Sequence, residues 1–131
     1  MANPNIVSVS SIKGESVGFN LSATTTTTLM TVSSDKLIKI NRITVANVDG
    51  SSAANVDLFV DGLTTAGATG ITPTGADATV YLAKTVSVPA DATLVIADTP
   101  IYLMEGDILK GGASASGDLD LFISYEVLDD A

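Results

Sequence analysis

The chain has no cysteine, no histidine and no tryptophan, only three tyrosines and three phenylalanines, and six basic residues in 131. Each shortage closes off a class of chemistry. Without cysteine there is no disulfide framework, no thiol nucleophile and no thiolate metal site. Without histidine the usual zinc sites, Ser-His-Asp triads and imidazole acid–base catalysis go as well. So few aromatic rings make a thin platform for stacking on sugars or bases. Fifteen acidic residues against six basic ones set the net charge at −9, the wrong sign for a phosphate backbone or an anionic bilayer. The basic residues (Lys13, Lys36, Lys39, Arg42, Lys84, Lys110) are scattered, with one loose group at 36–42. No nucleic-acid partner and no membrane partner is expected. No apolar run approaches the about 18 residues of a spanning helix, and Met1-Ala-Asn-Pro-Asn lacks the basic stretch of an export signal. The chain reads as a soluble protein made in the cytoplasm.

What the sequence does contain is alternation with a period of two, in short runs broken by Gly, Pro, Asn, Asp and Ser. Val17, Phe19 and Leu21 share one face of an early run; Val56, Leu58 and Val60 share another, opposed by Asn55, Asp57 and Asp61. Val80, Leu82, Val86 and Val88 keep one parity across 79–88. The longest stripe is Leu119, Leu121, Ile123, Tyr125 and Val127, backed by Asp118, Asp120, Ser124 and Glu126. Such segments bury one face and wet the other, as antiparallel sheets do. Segment 36–48 departs from the rule, because Ile38 and Ile40 lie on one parity and Ile43 and Val45 on the other. Either a β-bulge near 41–42 switches the buried face in mid-strand, or both faces are covered. No window of comparable length has a 3.6-residue period, so little helix is expected.

Turn signals separate the runs. Asp49-Gly50-Ser51-Ser52 carries the Asp-Gly pair of a hairpin, and Pro89-Ala90-Asp91-Ala92 suits a type I turn with proline at its first corner. Glu105-Gly106-Asp107 marks another turn, and 111–117 reads as a flexible connector. The Gly-rich stretch 62–78 has no usable alternation and reads as a long loop. Thr24 to Thr28 suits an edge strand or connector better than a flat binding ladder, since no second threonine row accompanies it. Roughly eight or nine short strands at this spacing predict one all-β domain over 1–131, an antiparallel β-sandwich or jelly roll. Residues 1–11 read as an extended arm, because Pro4 disfavours helix; the arm either pairs with its own sheet or adds to a neighbour's. Asn3, Pro4, Asn5, Ile6 and Val7 are its candidate partner-docking residues.

Catalytic constellations are poor. Glu105 with Asp107 and Asp118 with Asp120 are the carboxylate pairs, but each lies on the polar face of its run and reads as solvated surface. No nucleophile elbow, phosphate-binding loop or dinucleotide fingerprint is present. Oxygen-rich turns at 47–51 and 57–61 do not match an EF-hand loop, and Asp49 and Asp61 are expected to shape turns instead. The chain is therefore expected to be no enzyme and to need no cofactor or metal. Its outer faces and edge strands are left for assembly, and a small core of this kind is commonly reinforced by self-association.

Several phrases carry a resemblance. The opening Met1-Ala-Asn-Pro-Asn-Ile-Val-Ser-Val-Ser-Ser-Ile12, the centre Ile-Thr-Val-Ala-Asn-Val-Asp-Gly-Ser-Ser-Ala-Ala-Asn-Val (43–56) and Val-Pro-Ala-Asp-Ala-Thr-Leu-Val-Ile (88–96) resemble small virion structural proteins of tailed bacteriophages, especially marine ones. Asp98-Thr-Pro-Ile-Tyr-Leu-Met-Glu-Gly-Asp107 and Ser124-Tyr125-Glu126 extend the similarity. The resemblance implies a decoration (cement) protein on the outer head surface, assembled in the host cytoplasm. Its partners would be the major capsid protein and further copies of itself, with a trimer as the expected form. It brings no catalytic or ligand-binding residue. A neck, tail or fibre position is the alternative, and a carbohydrate-binding β-sandwich module the more distant one.

Overall fold

The computed structural model describes residues 6–62 and 78–130. Among these there is no helix, and nine strands run in the order β1 (Ser11–Asn20), β2 (Thr27–Thr31), β3 (Lys36–Asn47), β4 (Ala54–Asp61), β5 (Val80–Val88), β6 (Thr93–Ala97), β7 (Ile101–Leu103), β8 (Ile108–Ala113) and β9 (Leu119–Asp129). They form two antiparallel sheets. Sheet A has the order β1-β9-β3-β6, with β7 also on β3, and sheet B the order β2-β8-β4-β5.

Counting β6 and β7 as one strand interrupted at Pro100, the pairing is first with last, second with second-last, and so inward to β4 with β5. A long antiparallel ribbon has thus been rolled until β9 meets β3 and β8 meets β4. That is the jelly roll, the expected fold.

The alternation places the core. Val17 and Phe19 on β1, Leu121 and Ile123 on β9, and Val56 and Leu58 on β4 turn inward from the two sheets, and Ile123, Val56 and Leu58 are wholly buried. The parity change in 36–48 is resolved by a bulge: the register of β3 on β9 shifts between Ile40 and Arg42, leaving Asn41 as the extra residue. Ile38 and Ile40 before it, and Ile43 and Val45 after it, therefore all enter the same core.

The turns depart from expectation in an instructive way. Asp49-Gly50 does not close a hairpin, because β3 belongs to sheet A and β4 to sheet B; it turns the chain between layers. Pro89–Ala92 makes the same kind of crossing. There the Ala92 amide donates to the Pro89 carbonyl at 3.1 Å and Asp91 has φ of 59°, which excludes a type I turn. The stretch expected to be a flexible connector begins inside a strand. Gly111 and Gly112 are buried in β8, and a Cβ on Gly112 would lie 2.5 Å from the Thr24 carbonyl oxygen. Only a bare backbone admits the β1–β2 connection there. Thr27 and Thr28 open β2, the edge strand of sheet B, as the threonine run predicts. The Gly-rich 62–78 loop lies outside the described residues except for Gly62 and Ala78.

Candidate docking surface

Of the five arm residues, Asn3, Pro4 and Asn5 lie outside the described residues. Ile6 and Val7 sit exposed in a turn ahead of β1. The arm's root is tied to its own sheet: the Ser10 amide and hydroxyl both donate to the Asp129 carbonyl at 2.8 Å.

Beside that root the two sheets part. A cleft of about 430 Å³ opens between the free edges of β1 and β2, lined by Val17, Phe19, Leu29, Met30 and Val127. Glu15 and Lys36 stand among its polar groups. Tyr125 donates its hydroxyl to Glu15 at 2.9 Å, and burial, followed by the Glu15 carboxylate, pushes the phenol above its ordinary value. Lys36 is held by Asp129 at 3.1 Å. Both polar pairs are thus already closed within the chain.

Several carboxylates fasten the backbone. Asp49 accepts from the Ser51 amide at 3.0 Å and from its hydroxyl at 2.9 Å, and these bonds hold its carboxyl below the ordinary range. Asp61 accepts from Lys110, Thr79 and the Gly62 amide, each at 2.9 Å, with the same effect on its carboxyl and Lys110 the largest cause. Asp49 shapes its turn, as expected, and Asp61 ties the end of β4 to Thr79 and to Lys110 of β8; the segment that follows it, 63–77, lies outside the described residues. Glu105 accepts from the Asp35 amide at 2.9 Å, linking the β7–β8 turn to the β2–β3 turn. Asp107 departs from the solvated reading. It is 2 % exposed, accepts from the Met104 amide at 2.8 Å, and burial raises its carboxyl above the ordinary value. Among the described residues no cluster of three or more acidic side chains is arranged to hold a metal ion.

Two outer faces remain. On sheet B, Phe59 and Tyr81 pack with ring centroids 4.8 Å apart and Lys84 sits 5.0 Å over the tyrosine ring. On sheet A, Phe122, Val95 and Tyr102 are 48 %, 42 % and 47 % exposed. The sheet register sets them in two rows, Gly14–Glu126–Lys39–Tyr102 and Gly18–Phe122–Thr44–Val95, each crossing all four strand positions. Sequence alternation identifies these positions as outward, but only the pairing brings residues 14, 126, 39 and 102 into line. Phe122 and Val95 stand two strands apart with Thr44 between them, and Tyr102 ends the other row, so the apolar side chains are spaced along this face rather than joined in one patch. Comparison with protein-family models, with curated proteins and with solved structures finds no match for this chain.

Proposed function

We propose that the chain is a structural protein of a tailed-phage virion, a decoration protein that seats on the outer head surface and bridges major capsid subunits. The observation that carries this reading is the jelly roll itself. It has a continuous aliphatic core, two outer sheet faces bearing exposed apolar side chains, and several carboxylates bonded to the backbone. The resemblance of 43–56 and 88–107 to virion proteins points the same way. A charge of −9 keeps a particle studded with many copies soluble. Each copy touches several subunits, so weak contacts add through multivalency. Binding the assembled shell and not its free subunits stabilises the shell by mass action.

Labelling the chain on imaged particles tests the assignment. Many copies over the head are expected. A few copies at one end would place it in the neck, tail or a fibre instead, and particles without label would end the virion reading.

A further inference from the structure

We infer that the outer face of sheet A is a two-fold interface between two copies of this chain, which puts a dimer in place of the trimer that the resemblance implies. The inference stands on the sheet register and does not depend on the virion reading. In the row Gly14–Glu126–Lys39–Tyr102, a residue without a side chain mirrors an exposed aromatic, and an acid mirrors a base. In the row Gly18–Phe122–Thr44–Val95, a glycine again mirrors an exposed apolar side chain. A two-fold axis parallel to the strands, midway between β9 and β3, exchanges the two ends of every row. It lays Tyr102 over the second copy's Gly14, Val95 over its Gly18, and Lys39 over its Glu126. Self-complementarity of this kind is what an isologous interface requires.

The surroundings of the glycines support this. Glycine inside a strand weakens it, and none of the described residues demands it here. A Cβ on Gly14 would meet nothing within 4 Å, and one on Gly18 would meet only the Leu121 carbonyl at 3.8 Å. Neither has a positive φ. The space they leave is on the outside, where a neighbour's side chain enters. Charge agrees as well. On a body of −9, this face carries Lys39 and Arg42 against Glu126 and Asp120, so two copies meet here without net repulsion. Leu37 and Leu128, in the row of Ile12, are already buried within the chain. Four strands about 4.8 Å apart and about eight residues of about 3.3 Å rise remain, a footprint of about 500 Å² in projection. That is of the same order as the roughly 800 Å² of accessible surface each partner gives to a stable complex.

Light scattering on the purified chain is expected to give about twice the 13.3 kDa of the monomer. Gly14→Lys and Gly18→Lys each fill the neighbour's space without disturbing the fold, and are expected to give folded monomers with an unchanged β-sheet circular-dichroism spectrum. Lys39→Glu alone and Glu126→Lys alone are expected to weaken the dimer at least tenfold, whereas an equimolar mixture of the two is expected to dimerise again, because 39 then meets 126 with opposite charge in both directions. A monomeric or trimeric wild-type chain, a dimer indifferent to the glycine substitutions, or a mixture that stays monomeric would overturn the interface.

Discussion

Asn47 donates its side-chain amide to the Val88 carbonyl at 2.9 Å, joining the end of β3 in sheet A to the end of β5 in sheet B. The same nitrogen donates to the Ser52 carbonyl at 3.0 Å, and its oxygen accepts from the Asp49 amide at 2.9 Å. One buried side chain therefore satisfies three backbone groups where the chain crosses between layers. Asn47→Ala leaves them unpaired and is expected to cost about 2–3 kcal/mol in chemical denaturation. Asn55→Ala, on the solvated face of β4, should change stability by less than about 0.5 kcal/mol.

The bulge at Asn41 is a matter of count rather than of chemistry. Its side chain makes a bond to Glu126 at 3.2 Å, so Asn41→Ala should cost under about 1 kcal/mol. Deleting the residue instead turns Ile43 and Val45 away from the core on one side of the bulge or Ile38 and Ile40 on the other. That deletion is expected to abolish soluble, folded protein, whereas Ile43→Ala should fold with a loss of about 2–5 kcal/mol.

Thr85 has φ of 52°, a left-handed conformation that a β-branched residue rarely takes. It sits where the register of β5 on β4 slips, and Asp57 holds it by accepting its amide. The kink blunts the open edge of sheet B against further strands. Thr85→Gly relieves the conformation and should raise stability by about 1 kcal/mol. Asp57→Ala removes the tie and should lower it by about 1 kcal/mol, both read from urea midpoints.

Asp107 sets a pH dependence of unusual sign. Burial raises its carboxyl above the ordinary 3.8, so the folded chain takes up this proton before the unfolded chain does. Its contribution to stability therefore grows as pH falls from neutrality through the raised value towards 3.8, and is lost as pH rises. Asp49 and Asp61, with lowered values, stabilise above the ordinary carboxylate range and lose that effect as pH drops through their folded-state values. Asp107→Asn keeps an acceptor for the Met104 amide and removes the buried charge. Its Tm is expected to exceed the wild-type value at pH 7, with the difference shrinking as pH approaches 4.

Local pattern carried most of this fold. The stripe from Leu119 to Val127 and the parity change at 41–42 are backbone-periodic signals, and both appear where the side chains point. Layer assignment is not local. Asp49-Gly50 encodes a turn but not whether the next strand pairs with the last one or joins the opposite sheet. Gly111 and Gly112 look like connector residues because the strands that approach them, carrying Thr24 and Asp57, are distant in sequence. Asp107 has the composition of a surface turn, and its burial comes from tertiary packing. The rows on sheet A were least legible of all, since each draws one residue from every strand position.

The stability of the head is where a decoration protein must register. Particles stripped of this chain are expected to release DNA at a lower temperature than intact ones, and adding the purified chain back should restore the original value. Stripped and intact particles releasing DNA at the same temperature would contradict the proposed function.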